Sequence, residues 1–587
     1  MIMLDPVHPA GRTLRQRFGL LVLALLAVAT CAIGTLGFTQ YQAVSASPYS
    51  LADAFYQSLQ LFTLESGVIP HPIPWPLKIA RFLAPVLTFT AVAQALAVIF
   101  HSEVRNFRLS RSRGHIVICG AGTKASALIR DYCCGQQRVI IIDSKASQVL
   151  QDVPAQADVF AIRGDATDGE TLRQARAERA ERVFITTGND SVNIEIAASL
   201  MRHCKASASR AGRVACHIHL VDRQTEELFK RHRIFKDAAA QIDMHTFNVY
   251  DNAARLLWRE RLQVCGPLAP DDARSLHTVI GGLGQMGEAV LLRLVRSAHY
   301  ANGLKPTVTI IDLQAALCKE HLLARYPALP HHCNLAFIQA DLDRPQAIKQ
   351  ITEILTKPGQ ITSVVLCLDD DHANFAIALR LAPHLKAHAT PIFIRLTRAA
   401  GLCELLQAEH SDSALARQID GFGLTGTCCT RELVLTDELS RMARVFHEAY
   451  IVDRQAAGDT TTGPSRKTWE SLDEAFRESN REQAEHLELK LLTFDYSATD
   501  SRRGIPVAFT DEQLQILGRM EHARWCAERE LAGWGYAPGP KSVDTHTSPD
   551  IVPWNSLSPD VRKIDFDVVT AIPRLLAALS CPPQPEK

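Results

Sequence analysis

Two uninterrupted apolar stretches stand out in the first hundred residues. From Phe18 to Phe38 the chain reads FGLLVLALLAVATCAIGTLGF, 21 residues without a charge, about the length an α-helix needs to cross roughly 30 Å of hydrocarbon. From Ile79 to Phe100 it reads IARFLAPVLTFTAVAQALAVIF, with Arg81 close enough to one end to snorkel and Gln94 as the polar residue further in. A secretory signal peptide is the competing reading of the first stretch, because Arg12, Arg15 and Arg17 precede it. Its length and the second stretch favour two spans. Those arginines before the first stretch, and Arg105, Arg108, Arg111 and Arg113 after the second, place both flanks on the cytoplasmic side of a lipid bilayer.

The segment between the spans opens at Ser50 with a helix-capping residue. SLADAFYQSLQLFTLESGV then predicts a helix too short to span, followed by Gly67 and the rigid PHPIPWP from Pro70 to Pro76. A short helix, a glycine turn and an extended return between two spans resembles the pore helix and filter of the two-span potassium-channel family. Thr63, Leu64, Glu65, Ser66 and Gly67 stand where that family has TVGYG, and only Thr63 and Gly67 match. The family's filter strips ions with a column of backbone carbonyls, and its middle glycine allows φ > 0 where Glu65 stands here. The resemblance implies a homotetramer; in a fourfold assembly the Glu65 carboxylates, a departure from the family, would ring a path for a monovalent cation. The other reading is a plain extracellular connector between two anchoring helices, and both stand at this point.

After Gly114 the pattern changes from long apolar runs to short strands punctuated by glycine. HIVICGAG, from His115 to Gly122, places Gly120, Gly122 and Ala125 in a GxGxxA spacing, and VIIIDS ends a second strand at Asp143, 21 residues past Gly122. At that distance an acidic side chain reaches ribose hydroxyls while phosphates rest on helix-start amides. Runs at Val159–Leu172 and Arg182–Asp190 read as the third and fourth strands. Over Gly114–His219 these segments resemble the RCK, or TrkA-N-like, family of nucleotide-binding regulators of potassium conductance. In that family the GDATD turn at Gly164–Asp168 places Asp165 beside the adenine. The pattern recurs with Gly282, Gly284 and Gly287 as GxGxxG and Asp312 ending the next strand, an internal duplication about 162 residues apart. The resemblance implies NAD or another adenine nucleotide as regulatory ligand, with Asp143 and Asp312 favouring a free 2′-hydroxyl over NADP. A Rossmann unit that keeps its shape without a ligand is the alternative for each.

Beyond Arg431 the composition turns helical, and a Gly/Thr/Ser-rich linker from Ala457 to Ser465 precedes two charged amphipathic helices at Trp469–Leu492 and Leu517–Tyr536. The W…NR…KL spacing, EHARW at Glu521–Trp525, GWGY at Gly533–Tyr536 and VPWNSL at Val552–Leu557 resemble the RyR domain, the repeat of ryanodine receptors. That resemblance implies a ligand-sensing module. Asn480, Arg481, His522, Arg524 and Trp525 form either a pocket for a nucleotide signal, with arginine on phosphate and indole on base, or a buried structural network.

Charge is balanced at 63 basic against 63 acidic residues, which gives no reason to expect a nucleic-acid partner. The 15 cysteines contain no CxxC, and they read as small buried hydrophobes rather than metal ligands or nucleophiles. His331 and His332 read as solvated loop residues. No catalytic or metal-binding set follows either glycine motif, so the chain reads as no enzyme. The expected fold is a membrane α-helical part of two spans plus a re-entrant segment, then two α/β Rossmann-like units and a small, mostly α RyR-like domain. The boundaries are 1–17 for the cytoplasmic N-terminus, 18–100 for the membrane part, 101–114 for a linker, 115–270 and 271–430 for the RCK-like domains, 431–464 for a helix and linker, and 465–582 for the RyR-like domain. The expected function is a nucleotide-regulated cation channel subunit of the cell inner membrane, multi-pass, with both termini cytoplasmic. A membrane-anchored nucleotide sensor without conduction and an NAD-dependent oxidoreductase are the alternatives.

Overall fold

The structure, a computed structural model, describes residues 10–45, 50–64, 73–134, 137–146, 157–206, 213–231, 242–264, 268–397, 418–435, 437–456, 458, 464–497 and 506–580. It divides into two compact units, Met1–Thr246 and Phe247–Lys587.

The first unit begins with helices α1 (Ala10–Ser45), α2 (Leu51–Gln60) and α3 (Trp75–Ser110). Two stretches are long and apolar enough to cross a membrane, Leu21–Tyr41 in α1 and Trp75–Leu96 in α3. The short α2 starts at a Ser50–Asp53 capping box and packs on both long helices through Phe38, Ala54, Leu61, Leu77 and Ala80. Small residues let the backbones approach: a Cβ on Gly37 would lie 2.7 Å from the Leu77 backbone nitrogen. The Ser58 hydroxyl donates to the Cys31 carbonyl at 2.8 Å, and the Thr88 hydroxyl to the Phe62 carbonyl at 3.0 Å. In an apolar setting such bonds fasten helices that hydrophobic exclusion alone cannot hold together. Leu64 closes the turn after α2 with φ +67°, a left-handed conformation costly for a branched side chain. Of the five filter-like residues Thr63 and Leu64 are described, while Glu65, Ser66 and Gly67 lie outside the described residues.

The segment 101–114 is helical through Ser110, continuous with the second apolar stretch, because HSEVRNFRLS contains no glycine or proline to break it. Only Arg111–His115 separate α3 from the first strand.

Strands β1 (Ile116–Cys119), β2 (Val139–Ile142), β3 (Val159–Ile162), β4 (Arg182–Ile185), β5 (Val214–His219) and β6 (Ile242–Phe247) form a sheet in the order β3-β2-β1-β4-β5-β6, with β1 to β5 parallel. Helix α4 (Thr123–Cys134) follows the glycine turn. β1, β2 and β4 are apolar runs buried almost throughout, as strands covered on both faces must be.

The second unit repeats this topology. Strands β7 (Ser275–Gly281), β8 (Thr307–Asp312), β9 (Asn334–Gln339), β10 (Gln360–Leu366), β11 (Ile392–Arg395) and β12 (Ile419–Phe422) run in the order β12-β11-β10-β7-β8-β9, all parallel. Read from β9, this is the same order as in the first sheet, so the duplication seen in the glycine motifs extends to the whole fold. Helix Val249–Val264, placed by sequence with the first RCK-like domain, packs instead in the second unit. Its Ala253, Ala254, Leu257 and Trp258 are buried in the same core as helix Gln285–Ser297, and the Trp258 indole N–H donates to the Val290 carbonyl at 2.9 Å. The C-terminal helices Asp437–Ala456, Glu474–Glu485, Asp511–Leu531 and Pro559–Thr570 share that core.

Candidate nucleotide sites

In an open parallel sheet the ligand crevice forms at the carboxyl ends of the strands where the order reverses. That point lies between β1 and β4 in the first unit and between β7 and β10 in the second. Gly120 takes φ +112° and Gly282 φ +86°, so both chains turn sharply off the central strand in a conformation open to glycine. A Cβ on Gly120 would press on the Thr186–Thr187 backbone at 3.2 Å. Gly122 and Gly284 face open space, with nothing within 4 Å of a Cβ built on either. A Cβ on Gly287 would collide with the Gly282 carbonyl oxygen, so this third glycine lets the helix pack against the turn. At the matching position Ala125 is fully buried.

The two acidic residues at the strand ends differ in their engagement. Asp143 Oδ1 accepts the Lys145 amide at 2.7 Å. Asp312 accepts on both oxygens, from the Leu283 amide of the glycine turn at 2.9 Å and from the Gln314 amide at 2.8 Å. The carboxylate at the end of β8 is therefore already tied to the turn beneath which phosphates would lie. Asp165 is exposed, and its carboxylate folds back onto Thr167, accepting from the amide at 2.9 Å and the hydroxyl at 2.8 Å. Asp168 of the same turn caps the next helix at the Glu170 amide.

Sequence reasoning missed a second matched feature on the other side of each crevice. Asn193, fully buried, accepts from the Thr187 amide at 3.1 Å and donates to the His219 carbonyl at 2.8 Å. Asn374 does the same with the Leu368 amide at 3.1 Å and the Arg395 carbonyl at 3.0 Å. Asp190 accepts the Val221 and Asp222 amides, and Asp371 accepts the Thr397 amide. Each pair ties the loop after the fourth strand to the end of the fifth and holds the crevice wall. The signal was present as NDSVN and DDHAN after corresponding strands.

Arg481, His522 and Arg524 of the C-terminal module have their polar groups engaged internally. Arg524 is buried and pairs with Glu521 at 2.8 Å and Glu528 at 2.9 Å. Burial pushes the Glu521 carboxyl up, but Arg524 and Lys490 outweigh it and hold it well below the usual range. Arg481 meets Glu474 at 2.6 Å. His522 lies 3.2 Å from Asp565 and 2.8 Å from the Val552 carbonyl. Burial opposes its proton, yet these partners and Cys526 raise it to about 10. Asn480 donates to its own helix at Phe476. Trp525 remains half-buried, stacked on His522, with the Lys541 ammonium 5.5 Å from its ring. His331 is solvent-exposed as expected, but His332 is largely buried and neither lies in a loop. They end a short helix and bond Glu530 of the helix Asp511–Leu531 at 3.2 and 2.7 Å. No group of three metal-ligating side chains occurs among the described residues.

Comparison with known proteins bears on the first unit. An uncharacterized protein of Methanothermus fervidus is 30% identical over 112 residues, which is 18% of each chain. Potassium channel protein 1 of Methanocaldococcus jannaschii is 25% identical over 92 residues, 16% of this chain and 28% of that one. The chain thus spans less than a third of the length of either relative. Among solved structures, GsuK bound to ADP is similar at 17% identity and TM-score 0.38, covering 70% of this chain and 96% of that one. The GsuK channel bound to NAD is similar at 15% identity and TM-score 0.39, covering 72% and 84%. Residues 116–232, within the first α/β unit, match the family described as the TrkA-N domain.

Proposed function

We propose that the chain is the subunit of a nucleotide-regulated cation channel, a homotetramer in the cell inner membrane with both termini cytoplasmic. One observation carries this reading: two apolar helices hold a short third helix between them, and the second continues without a break to within five residues of a TrkA-N domain. A connector between simple anchors has no need of a close glycine contact to a short helix, such as Gly34 of α1 makes with Ser58 of α2, whereas a re-entrant pore helix must be packed on both spans because its ends lie in the bilayer. The relative described as a potassium channel protein supports the same reading.

In this function the glycine turns at Gly120–Ala125 and Gly282–Gly287 hold the phosphates of an adenine nucleotide, and Asp143 and Asp312 take ribose hydroxyls. Ligand preference for one arrangement of the cytoplasmic units would shift α3 through Arg111–His115, typically by about 1 to 3 kcal/mol of coupling per site. Glu65 supplies the carboxylate ring that attracts cations. The RyR-like module contributes a second sensor, with the half-buried Trp525 at its stacking surface.

The test is cation flux into liposomes holding the purified protein, with NAD and ADP as probes. Flux that depends on nucleotide and falls in Glu65→Lys is expected. Nucleotide binding with no flux under any condition would leave the anchored sensor as the function.

A further inference from the structure

Helix Gln285–Ser297 links two places in the second unit. Its N-cap is Gly284 of the glycine turn, and about 14 to 18 Å away at 1.5 Å per residue its last turns carry Arg293 and Arg296 into the C-terminal module. Arg293, 2% exposed, meets Glu485 at 3.0 Å and Glu482 at 3.6 Å, and Arg296 meets Glu482 at 2.9 Å. Arg255, from the neighbouring helix Val249–Val264, pairs with Glu478 and Glu485 at 2.5 Å each. Three arginines of the α/β unit thus meet three glutamates spaced along one face of helix Glu474–Glu485, and Glu482 continues to Arg524 at 4.0 Å.

This joint is buried but incompletely satisfied. Arg293 Nε, Arg296 Nε and Glu482 Oε2 have no hydrogen-bond partner. A small cleft lined by Arg255, Arg293, Glu485 and His486 lies along it. Buried ion pairs repay their desolvation only with near-ideal geometry, so small displacements change the stability of this joint strongly. The helix itself cannot slip locally, since nine of its thirteen residues are buried.

We propose that occupancy of the second glycine turn by a nucleoside diphosphate or dinucleotide and the seating of the C-terminal module are thermodynamically linked through this helix. The linkage rests on the nucleotide reading of that turn. Ligand amides at one end and the glutamate helix at the other act on the same rigid body, and reciprocity requires each to alter the other's affinity by the same factor.

The experiment is hydrogen exchange on the full chain in detergent, titrated with NAD and with ADP, in the native protein and in Arg296→Gln. Saturating nucleotide is expected to protect residues 282–288 and also to change exchange across 474–485. In Arg296→Gln the midpoint of protection at 282–288 should move at least fivefold. Protection of the turn with unchanged exchange at 474–485, and a midpoint within twofold in a variant whose joint exchanges faster, would overturn the linkage alone. If neither nucleotide protects 282–288, the nucleotide reading of the second turn fails and the linkage with it. Should Arg296→Gln fail to fold, the native titration still decides through exchange at 474–485.

Discussion

Replacing Gly284 by alanine separates what the fold needs from what a ligand needs. Gly284 has φ −77° and ψ −164°, an extended conformation open to any residue, and no heavy atom lies within 4 Å of the added Cβ. Folding therefore meets no clash, and the loss of unfolded-state freedom should stabilise the second unit by about 0.4 to 1 kcal/mol. A pyrophosphate resting on the turn must approach that same open space, which is where the second glycine of such a motif admits it. A tenfold loss of affinity is a modest expectation. At a nucleotide concentration about 100 times the native dissociation constant, linkage stabilises the native protein by about 2.7 kcal/mol, and a tenfold weaker site by RT ln 11, about 1.4 kcal/mol. Denaturant unfolding of the second unit with and without NAD or ADP reads both quantities. Without ligand the variant should be more stable than the native protein by about 0.4 to 1 kcal/mol, and with ligand it should lose about half of the ligand's contribution. If Gly284→Ala keeps the full nucleotide effect, phosphates do not lie on this turn.

Three further outcomes are expected. His217 and His219 are buried in the first unit, burial being the main force that holds their protons off, His219 down to about 3 and His217 well below its ordinary value. The unfolded chain takes up those protons first, so the stability is present above pH 6.5 and lost as pH falls, by about 1 kcal/mol per group between pH 6.5 and 5.5; urea unfolding of the first unit across that interval measures it. Glu521→Ala leaves Arg524 and Lys490 buried without their shared carboxylate, and should destabilise the C-terminal module by about 3 to 5 kcal/mol in chemical denaturation. A six-residue Gly/Ser insertion after Ser112 should leave nucleotide affinity unchanged and abolish the dependence of liposome flux on nucleotide; flux that still follows ligand would remove Arg111–His115 as the transmitting joint.

What could be read from the chain differs by kind of feature. Both glycine turns were legible because the required backbone geometry, φ +112° at Gly120 and +86° at Gly282, restricts residue choice at a single position. That the chain holds two copies of one α/β unit was legible because the same pattern of strands and glycine turns occurs twice. Asn193 and Asn374 were not legible in one repeat alone, since an asparagine near a helix start usually caps its own helix, whereas these reach a carbonyl on a strand 26 and 21 residues later. That the linker 101–114 is helical through Ser110 was not read from the sequence, although every residue from His101 to Ser110 is compatible with helix. Arg481, His522 and Arg524 carry the chemistry of phosphate recognition in sequence, and only their distances to Glu474, Asp565 and Glu521 reveal that their charges are already matched. The residues from Glu65 to Gly67 lie outside the described residues.

The placement of helix Val249–Val264 bears on how the chain can be divided. A truncated chain beginning at Asp271, the boundary suggested by sequence pattern, would leave behind Ala253, Leu257 and Trp258 and expose the face of helix Gln285–Ser297 on which they lie. Removing Trp258 alone corresponds to a loss of about 3 to 5 kcal/mol, comparable with the whole stability of many domains. Such a fragment would present a fresh apolar groove and aggregate, while one beginning at Phe247 would keep it covered.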